Sequence, residues 1–334
     1  MTSEWNPTLG PSALVETVRL LLRGHPGGYG SRAVDGSRVI AVDLGGTKIL
    51  AGVVARDGAV GRTVETPTPT SAEDDVLAAL VDVVEQLDPA AADALGVGVP
   101  GNLDRRTGLL LRATNLPLDD VDLRTALAAR FGRPVGVEND GNAAALAEWR
   151  FGAGRGTHDL VMLTLGTGIG GGIVLDDALY RGWAELGHLV VDFDGPPCQG
   201  NCHGRGHLEG IASGQAADRV AAALYGPGAD AHVLVAQGRA GEPRAVEALA
   251  HMGSMLGAAV GSLVNVFDPE VVVVGGGFGA AAGELLLGPA REVARREAIQ
   301  PADARIRIVP AELGASAGLV GAGLVGFAAL DGER

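Results

Sequence analysis

RVIAVDLGGTK, residues 38–48, runs an apolar segment into an acid, two glycines, a hydroxyl and a cation. RVIAVD has the β-branched character of a strand, and GGTK closes it in a tight turn. ILAGVVARDGAV continues as a returning strand with a hairpin turn at Asp57-Gly58. In the first turn, Gly45 and Gly46 allow close approach of a phosphate, and exposed N–H groups make an anion nest. Asp43 would repel a phosphate directly, so its place at the strand end suits a hydrated Mg²⁺. Lys48 has two readings, a phosphate contact or a solvated surface ammonium. A glycine hairpin is also a common structural device, so the turn alone does not choose between binding and architecture.

Working outward, Thr70-Ser-Ala-Glu73 has capping-box spacing ahead of VLAALVDVVEQL, whose apolar stripe reads as a helix. ALGVGVPG, residues 94–101, is a strand with a glycine-rich exit. A helix follows around 121–131, and PVGVEND is a strand ending in polar residues. From Gly141, NAAALAEWRFG reads as a helix, and LVMLTLGTGIGGGIVL as two strands around a second turn, Gly166-Thr167-Gly168. Residues 211–265 read as mostly helical with a loop near 226–230. VVVVGGGFG, residues 271–279, is a buried strand broken by Gly275, Gly276 and Gly277. DLGGT and LGTGIGGG are strand–glycine-turn–strand units about 120 residues apart, the echo expected of a duplicated α/β core. The organisation predicted is an extension over 1–37, with Ser12 capping a short helix ALVETVRLLL and HPGGYGS as linker. A smaller α/β domain over 38–140, a larger one over 141–312 and a C-terminal helix over 313–334, packing back on the first domain, complete it.

Composition narrows the classes. A net charge of −14 argues against nucleic acid or an anionic membrane as partner. An anionic ligand must then be held by local devices such as backbone N–H groups, helix N-termini and a metal ion. Two cysteines in 334 residues make no disulfide framework. MTSEWNPTLG lacks the basic and apolar regions of a signal peptide. Leu313–Leu330 is uncharged over 18 residues, which touches the membrane-helix threshold, but its Gly and Ala content reads as a closely packed buried helix. A soluble, cytoplasmic protein is the expectation.

Taken in order, an acid-bearing glycine turn, a G-T-G turn and an apolar strand ending in GGG resemble the actin/hexokinase-type ATPase fold, two ribonuclease-H-like α/β domains facing a central cleft. GVPGN (98–102), ATNLP (113–117), ENDGNAAALAE (138–148), LGTGIGGGI (165–173), ELGH (185–188) and GHLE (206–209) narrow the match. They follow one another as in the ROK family of bacterial sugar kinases and sugar-responsive repressors. The resemblance spans about residues 38–328. It implies ATP- and Mg²⁺-dependent phosphorylation of a hexose at the 6-hydroxyl, glucose foremost. Alternatives are fructose, mannose or an N-acetylated amino sugar, or polyphosphate as donor. It assigns the turns with Gly45, Gly46, Thr47, Gly166, Thr167 and Gly168 to the phosphates and Gly275, Gly276 and Gly277 to the adenosine, with Asp43 beside them for Mg²⁺ and Lys48 keeping both its readings. It assigns Gly101, Asn115, Asn139, Asp140, Glu185, His188 and Glu209 to the sugar, with Asp140 as general base. On residues alone, Asp140 before a helix also reads as an N-cap. A dimer or tetramer is implied. The repressor class needs a basic DNA-binding module of roughly 60 residues, and only 37 precede the core.

GHLVVDFDGPPCQGNCHGRGHLEG, residues 187–210, holds both cysteines and three of the seven histidines. Cys198 and Cys202 have a permitted zinc-ligand spacing, with His207 five residues on and His188 ten residues before Cys198. His203 is a rival ligand, hindered by adjacency to Cys202. A reactive or disulfide-bonded cysteine pair is the other reading. Zinc-binding ROK proteins pair the histidine of E-x-G-H with a cysteine cluster. Here that cluster is about two residues longer, and its last cysteine is replaced by His207. Four protein ligands leave no open position, which makes the implied Zn²⁺ structural. The resemblance gives His188 both metal and sugar, through its two ring nitrogens. Arg181-Gly-Trp183-Ala-Glu185 is shorter than the family's loop and puts a Trp at the sugar rim or in hinge packing.

Overall fold

The computed structural model describes residues 36–332 apart from 105–106, 114–115 and 201. The expected helix over 13–22, its linker and Asn115 lie outside the described residues. Strands β1 (Arg38–Leu44), β2 (Lys48–Ala55) and β3 (Val60–Pro67) form an antiparallel meander. β4 (Ala94–Val99) joins β1 in parallel. A small antiparallel sheet of β5 (Gly101–Asp104), β6 (Leu109–Ala113) and β7 (Asp119–Val121) follows, and β8 (Val135–Asn139) then pairs in parallel with β4. The first large sheet has the order β3-β2-β1-β4-β8.

The second large sheet repeats that plan. β9 (Leu160–Leu165), β10 (Ile169–Leu175) and β11 (Ala178–Leu179) are its antiparallel meander. β12 (Val271–Gly275) and β13 (Ile308–Pro310) add in parallel, for the order β11-β10-β9-β12-β13. Each sheet is thus built third, second, first, fourth, fifth in its own chain order. The two glycine turns echo in sequence because they are the equivalent first hairpins of the two sheets.

Helix α1 (Glu73–Glu85) buries Val76, Leu80 and Val83 against Ile40, Val42 and Leu44. Each fully buried side chain of this size contributes about 1.5–3 kcal/mol. The capping box expected at Thr70–Glu73 does not form. The helix starts at Glu73 with Ala72 as its cap, and the Ser71 hydroxyl binds the Asp75 carboxylate instead. Helices α2 (Leu123–Phe131) and α3 (Asp140–Phe151) flank β8 in sequence. The second core gathers α4 (Leu208–Ala212), α5 (Gly214–Tyr225), α6 (Ala231–Arg239), α7 (Pro243–Phe267), α8 (Gly277–Ala282) and α9 (Glu284–Glu297). α7 is long and apolar enough to cross a membrane. Its Leu249, Met252, Leu256 and Val260 are buried in this core, as the inner face of a globular helix would be.

After the short α10 (Ala302–Arg305), α11 (Ala317–Leu330) packs on β1, β4 and β8 of the first sheet and on α3. Its Gly326 meets Gly96 of the sheet, and its Gly321 and Ala322 lie as close to neighbouring backbone. A Cβ at Gly96 would fall 1.8 Å from the Ala322 carbonyl oxygen, and one at Gly321 would fall 1.8 Å from that of Ala143. This backbone-to-backbone seating explains why 313–330 is so rich in small residues. α3 in turn packs on β10, so one helix touches α11 on one side and the second sheet on the other.

Candidate active site

Three parallel strands end together. Asp43 of β1 pairs with Gly98 of β4, and Val99 of β4 pairs with Asn139 of β8. Open α/β sheets bind ligands at the carboxyl ends of such strands. A Cβ at Gly98 would lie 3.7 Å from the Asp140 Cα and 3.9 Å from Asp43 Oδ1, so this glycine sits between the two acids.

The start of α3 separates two roles that the sequence left merged. Asn139 is the cap: its Oδ1 accepts from the Asn142 N–H at 3.1 Å, and its Nδ2 donates to the Gly101 carbonyl at 3.1 Å. Asp140 is the first helical residue, and its Oδ1 accepts from the Gly141 N–H at 2.8 Å. Burial pushes the Asp140 carboxyl up to about 7, the Asp43 charge pushes the same way, and the Glu185 charge adds to it. Asp43 is itself pushed up to about 6 by burial, with Lys48 pulling down. Glu185 is raised by burial and by Glu209, while His188 opposes the rise. Asp43, Asp140, Glu185, His188 and Glu209 therefore belong to one electrostatic chain, although they come from distant parts of the sequence.

The glycine turns approach this chain differently. A Cβ at Gly141 would fall 2.6 Å from the Gly171 carbonyl oxygen, so the β9–β10 hairpin rests directly on the start of α3. Its turn is braced: the Gly166 and Thr167 carbonyls accept from the N–H groups of Gly214 (2.7 Å) and Gln215 (3.2 Å) at the start of α5. Glu209 Oε2 accepts from the Ile169 N–H at 2.8 Å. Gly276, at φ +83°, lies against the Leu165 backbone, so the 275–277 turn adjoins the 166–168 turn. Across the site, Gly46, Thr47 and Lys48 form the exposed tip of the β1–β2 hairpin, and Lys48 Nζ pairs with Glu65 at 2.7 Å.

A cleft with about 200 Å³ of empty space opens beside Asn139. Gly101, Asn102 and Leu103 of β5 line it together with Gly182, Trp183 and Glu185. Sequence reasoning missed Glu138 and Asn142, which also line it. Glu138 Oε1 accepts from Asn142 Nδ2 at 3.0 Å, and Asn142 Oδ1 is buried without a hydrogen-bond partner. The i, i+4 spacing across the helix start was the signal available. Glu148 was missed too. Fully buried, it accepts from the N–H groups of Ala153, Glu312 and Leu313.

His188, Cys198, Cys202 and His207 meet with their donor atoms all within 4.8 Å of one another. The two Nδ1 atoms are 3.2 Å apart, Cys202 Sγ is 3.5 Å from His207 Nδ1, and Cys198 Sγ is 3.8 Å from His188 Nδ1. Zn–N bonds of about 2.0–2.1 Å and Zn–S bonds of about 2.3 Å set tetrahedral edges of roughly 3.3–3.8 Å, close to these three separations, so the Cys₂His₂ donor set suits zinc in chemistry. Burial, with Cys202 beside it, raises the Cys198 thiol to about 11, and a cation in the cluster would reverse that. His188 turns Nδ1 to the cluster and leaves Nε2 for another partner.

Two sheets of one topology, with paired carboxylates and glycine turns at their strand ends, define the actin/hexokinase-type ATPase fold. The comparisons agree and go further. The ROK family model matches residues 39–326. The chain is 39% identical over 276 residues to the glucokinase of Thermotoga maritima, covering 76% of this chain and 86% of that protein. It is 37% identical over 314 residues to the glucokinase of Streptomyces coelicolor, covering 85% and 95%. A ROK family glucokinase from Streptomyces griseus, solved in complex with glucose and AMPPNP, is 36% identical with a TM-score of 0.77, covering 87% of this chain and 99% of that one. The chain belongs to the ROK family.

Proposed function

We propose that this chain is an ATP-dependent glucokinase, with Asp140 as general base. The observation that carries the reading is the meeting of Asp43 and Asp140 at the strand ends, near enough to Glu185 to feel its charge, with the Asp140 carboxyl raised to about 7. A base is most effective when its pKa lies near the working pH. As the sugar O6 attacks the γ-phosphorus, its proton passes to the Asp140 carboxylate and ADP leaves. The rest is positioning and electrostatics, as phosphoryl transfer requires. N–H groups of the 45–48 and 166–168 turns face the phosphates, and the 275–277 turn lies toward the adenosine. Two adjacent carboxylates make a hard-oxygen donor set, so Asp43 would hold Mg²⁺ directly or through water. Bound with the nucleotide, Mg²⁺ neutralises phosphate charge.

The sugar falls to Gly101, Asn115, Asn139, Glu185, His188 and Glu209. One oxygen of Glu209 already serves Ile169, which leaves the other for a hydroxyl. His188 would bind the sugar with Nε2, its Nδ1 being the atom that would hold a structural Zn²⁺. The lobes 38–140 and 141–312 close to exclude water. Dimers or tetramers in the cytoplasm, serving glycolysis, complete the reading.

The test is ADP release measured with glucose, mannose, fructose and N-acetylated amino sugars, with and without a zinc chelator. Hexose-dependent ADP release, highest in kcat/KM for glucose, is expected. No release with any of these sugars would sink the reading.

A further inference from the structure

Proton transfer, phosphate binding and the metal cluster leave Trp183 without a task. Its side chain is 58% exposed, yet it lines the cleft with Gly182 and Glu185. The loop beneath it is already seated on other groups. A Cβ at Gly182 would fall 2.3 Å from the Tyr180 ring, so the backbone lies flush on that ring. Tyr180 meets Phe267 of α7 edge to face, with centroids 6.2 Å apart. The loop is thus anchored by Tyr180 and not by the indole, which speaks against hinge packing. Ala184 then takes φ +52°, a left-handed conformation that side chains other than glycine seldom adopt. That turn lets Trp183 and Glu185, two residues apart, share one cleft. Non-glycine residues held this way cluster at ligand clamps.

Beside Leu103, the cleft offers the polar groups of Asn102, Glu138, Asn139, Asn142 and Glu185. They suit hydroxyls. An exposed indole among them suits the remaining part of a pyranose, its C–H faces. The electron-rich face of an aromatic ring attracts the positive edge of C–H bonds. A pyranose with all-equatorial substituents offers such a face unbroken. An axial hydroxyl places an oxygen on it, where the indole gives no hydrogen bond and water is displaced.

Resting on the glucokinase reading, we propose that Trp183 is the sugar-selecting residue of this cleft. Its indole closes over a C–H face of the hexose and favours glucose over an epimer with an axial hydroxyl. The experiment is steady-state kinetics of wild type, Trp183→Phe and Trp183→Ala with glucose and with mannose, beside tryptophan emission during glucose titration without nucleotide. For Trp183→Ala, KM for glucose rises about tenfold while kcat stays within about threefold, the signature of lost binding common to ground and transition states. KM for mannose changes less, so the glucose-to-mannose ratio of kcat/KM falls, and Trp183→Phe recovers most of it. Glucose changes wild-type emission but not that of Trp183→Phe. Trp149, buried and bonded to the Thr157 carbonyl, and Trp5 are present in both proteins, so the difference between their emission changes reads Trp183. Unchanged KM and sugar ratio in Trp183→Ala, with emission blind to glucose, would overturn the proposal. So would a fall in thermal stability and kcat with KM intact, the mark of loop packing. If the wild type turns over no hexose, the glucokinase reading fails, and the emission titration still decides whether Trp183 meets the sugar.

Discussion

The β1–β2 and β9–β10 hairpins occupy equivalent positions in two sheets of identical strand order, yet they are loaded in opposite ways. The first carries charge at both ends, Asp43 and Lys48, and its tip stands exposed. The second carries no charge in Gly166-Thr167-Gly168, and it is held from behind by Glu209 and the start of α5. A duplicated scaffold becomes a chemical site only when such symmetry is broken. One half brings buried carboxylates and the other an uncharged, braced turn. α3 joins them, because Asp140 at its start lies beside Asp43 while Gly141 touches Gly171.

The sharpest way to break the comparison is Asp140→Asn, which strips the charged half of its base. Loss of a general base costs about 10²–10⁴-fold in kcat, with sugar binding retained by calorimetry. In the wild type, kcat/KM falls as pH drops through about 7, because protonated Asp140 accepts nothing. The stability sign runs the other way. With the folded pKa above the unfolded value of 3.8, this group's contribution is fully present below 3.8 and is lost as pH rises through about 7. Asp140→Asn is therefore inactive but melts higher than wild type at pH 8. Near-normal kcat would remove Asp140 from the mechanism.

The asymmetry was only partly legible in the sequence. β1, β4, β9 and β12 announce themselves as apolar runs, and the order of three glycine turns carried the fold. β5, β6 and β7 were not read, because they are short and half polar, so neither periodicity nor propensity marks them. The capping box failed because the helix begins only at Glu73, which leaves Thr70 two residues ahead of the cap Ala72. In the candidate site, the ENDGN segment with Asp140 and the meeting of His188, Cys198, Cys202 and His207 were legible as motifs. Glu148 was not, because its partners Glu312 and Leu313 lie 164 and 165 positions away and offer only backbone N–H groups, which leave no trace in residue type.

Next in size is removal of the zinc proposed for the cluster of His188, Cys198, Cys202 and His207. His207 caps α4, and Glu209 sits in that helix's first turn, so the cluster reaches the Ile169 contact through two residues. Chelation, or Cys202→Ser, raises the glucose KM about tenfold and lowers kcat less, since the loss is one of positioning. Elemental analysis gives one zinc per chain in the wild type. A zinc-free wild type with unchanged KM would show the brace to be independent of metal.

Glu148→Gln addresses the join between the halves. An amide nitrogen there would face N–H groups that need an acceptor, and hydrogen bonds to a buried charge are each worth about 1.5–3 kcal/mol. A loss of about 2–3 kcal/mol in urea unfolding is expected. The acid limb near pH 7 stays in place, because Glu148 does not act on Asp140's charge. A stability unchanged within error would mean that water takes over these backbone groups.

The smallest effect belongs to the exposed tip. The Lys48 ammonium and the Glu65 carboxylate keep side-chain exposures of 55% and 53%, and surface pairs of this kind contribute about 0–1 kcal/mol. Lys48→Ala therefore leaves the melting temperature nearly unchanged. It also removes the cation that holds the Asp43 pKa down, so Asp43 moves further up from about 6. If Lys48 only pairs with Glu65, KM for ATP stays within about threefold, a change of less than 1 kcal/mol. If the ammonium leaves Glu65 for a phosphate, KM for ATP rises tenfold or more, and Glu65→Gln, which frees it, lowers KM. The two variants together decide whether the charged hairpin contributes one ionic group to the nucleotide or two.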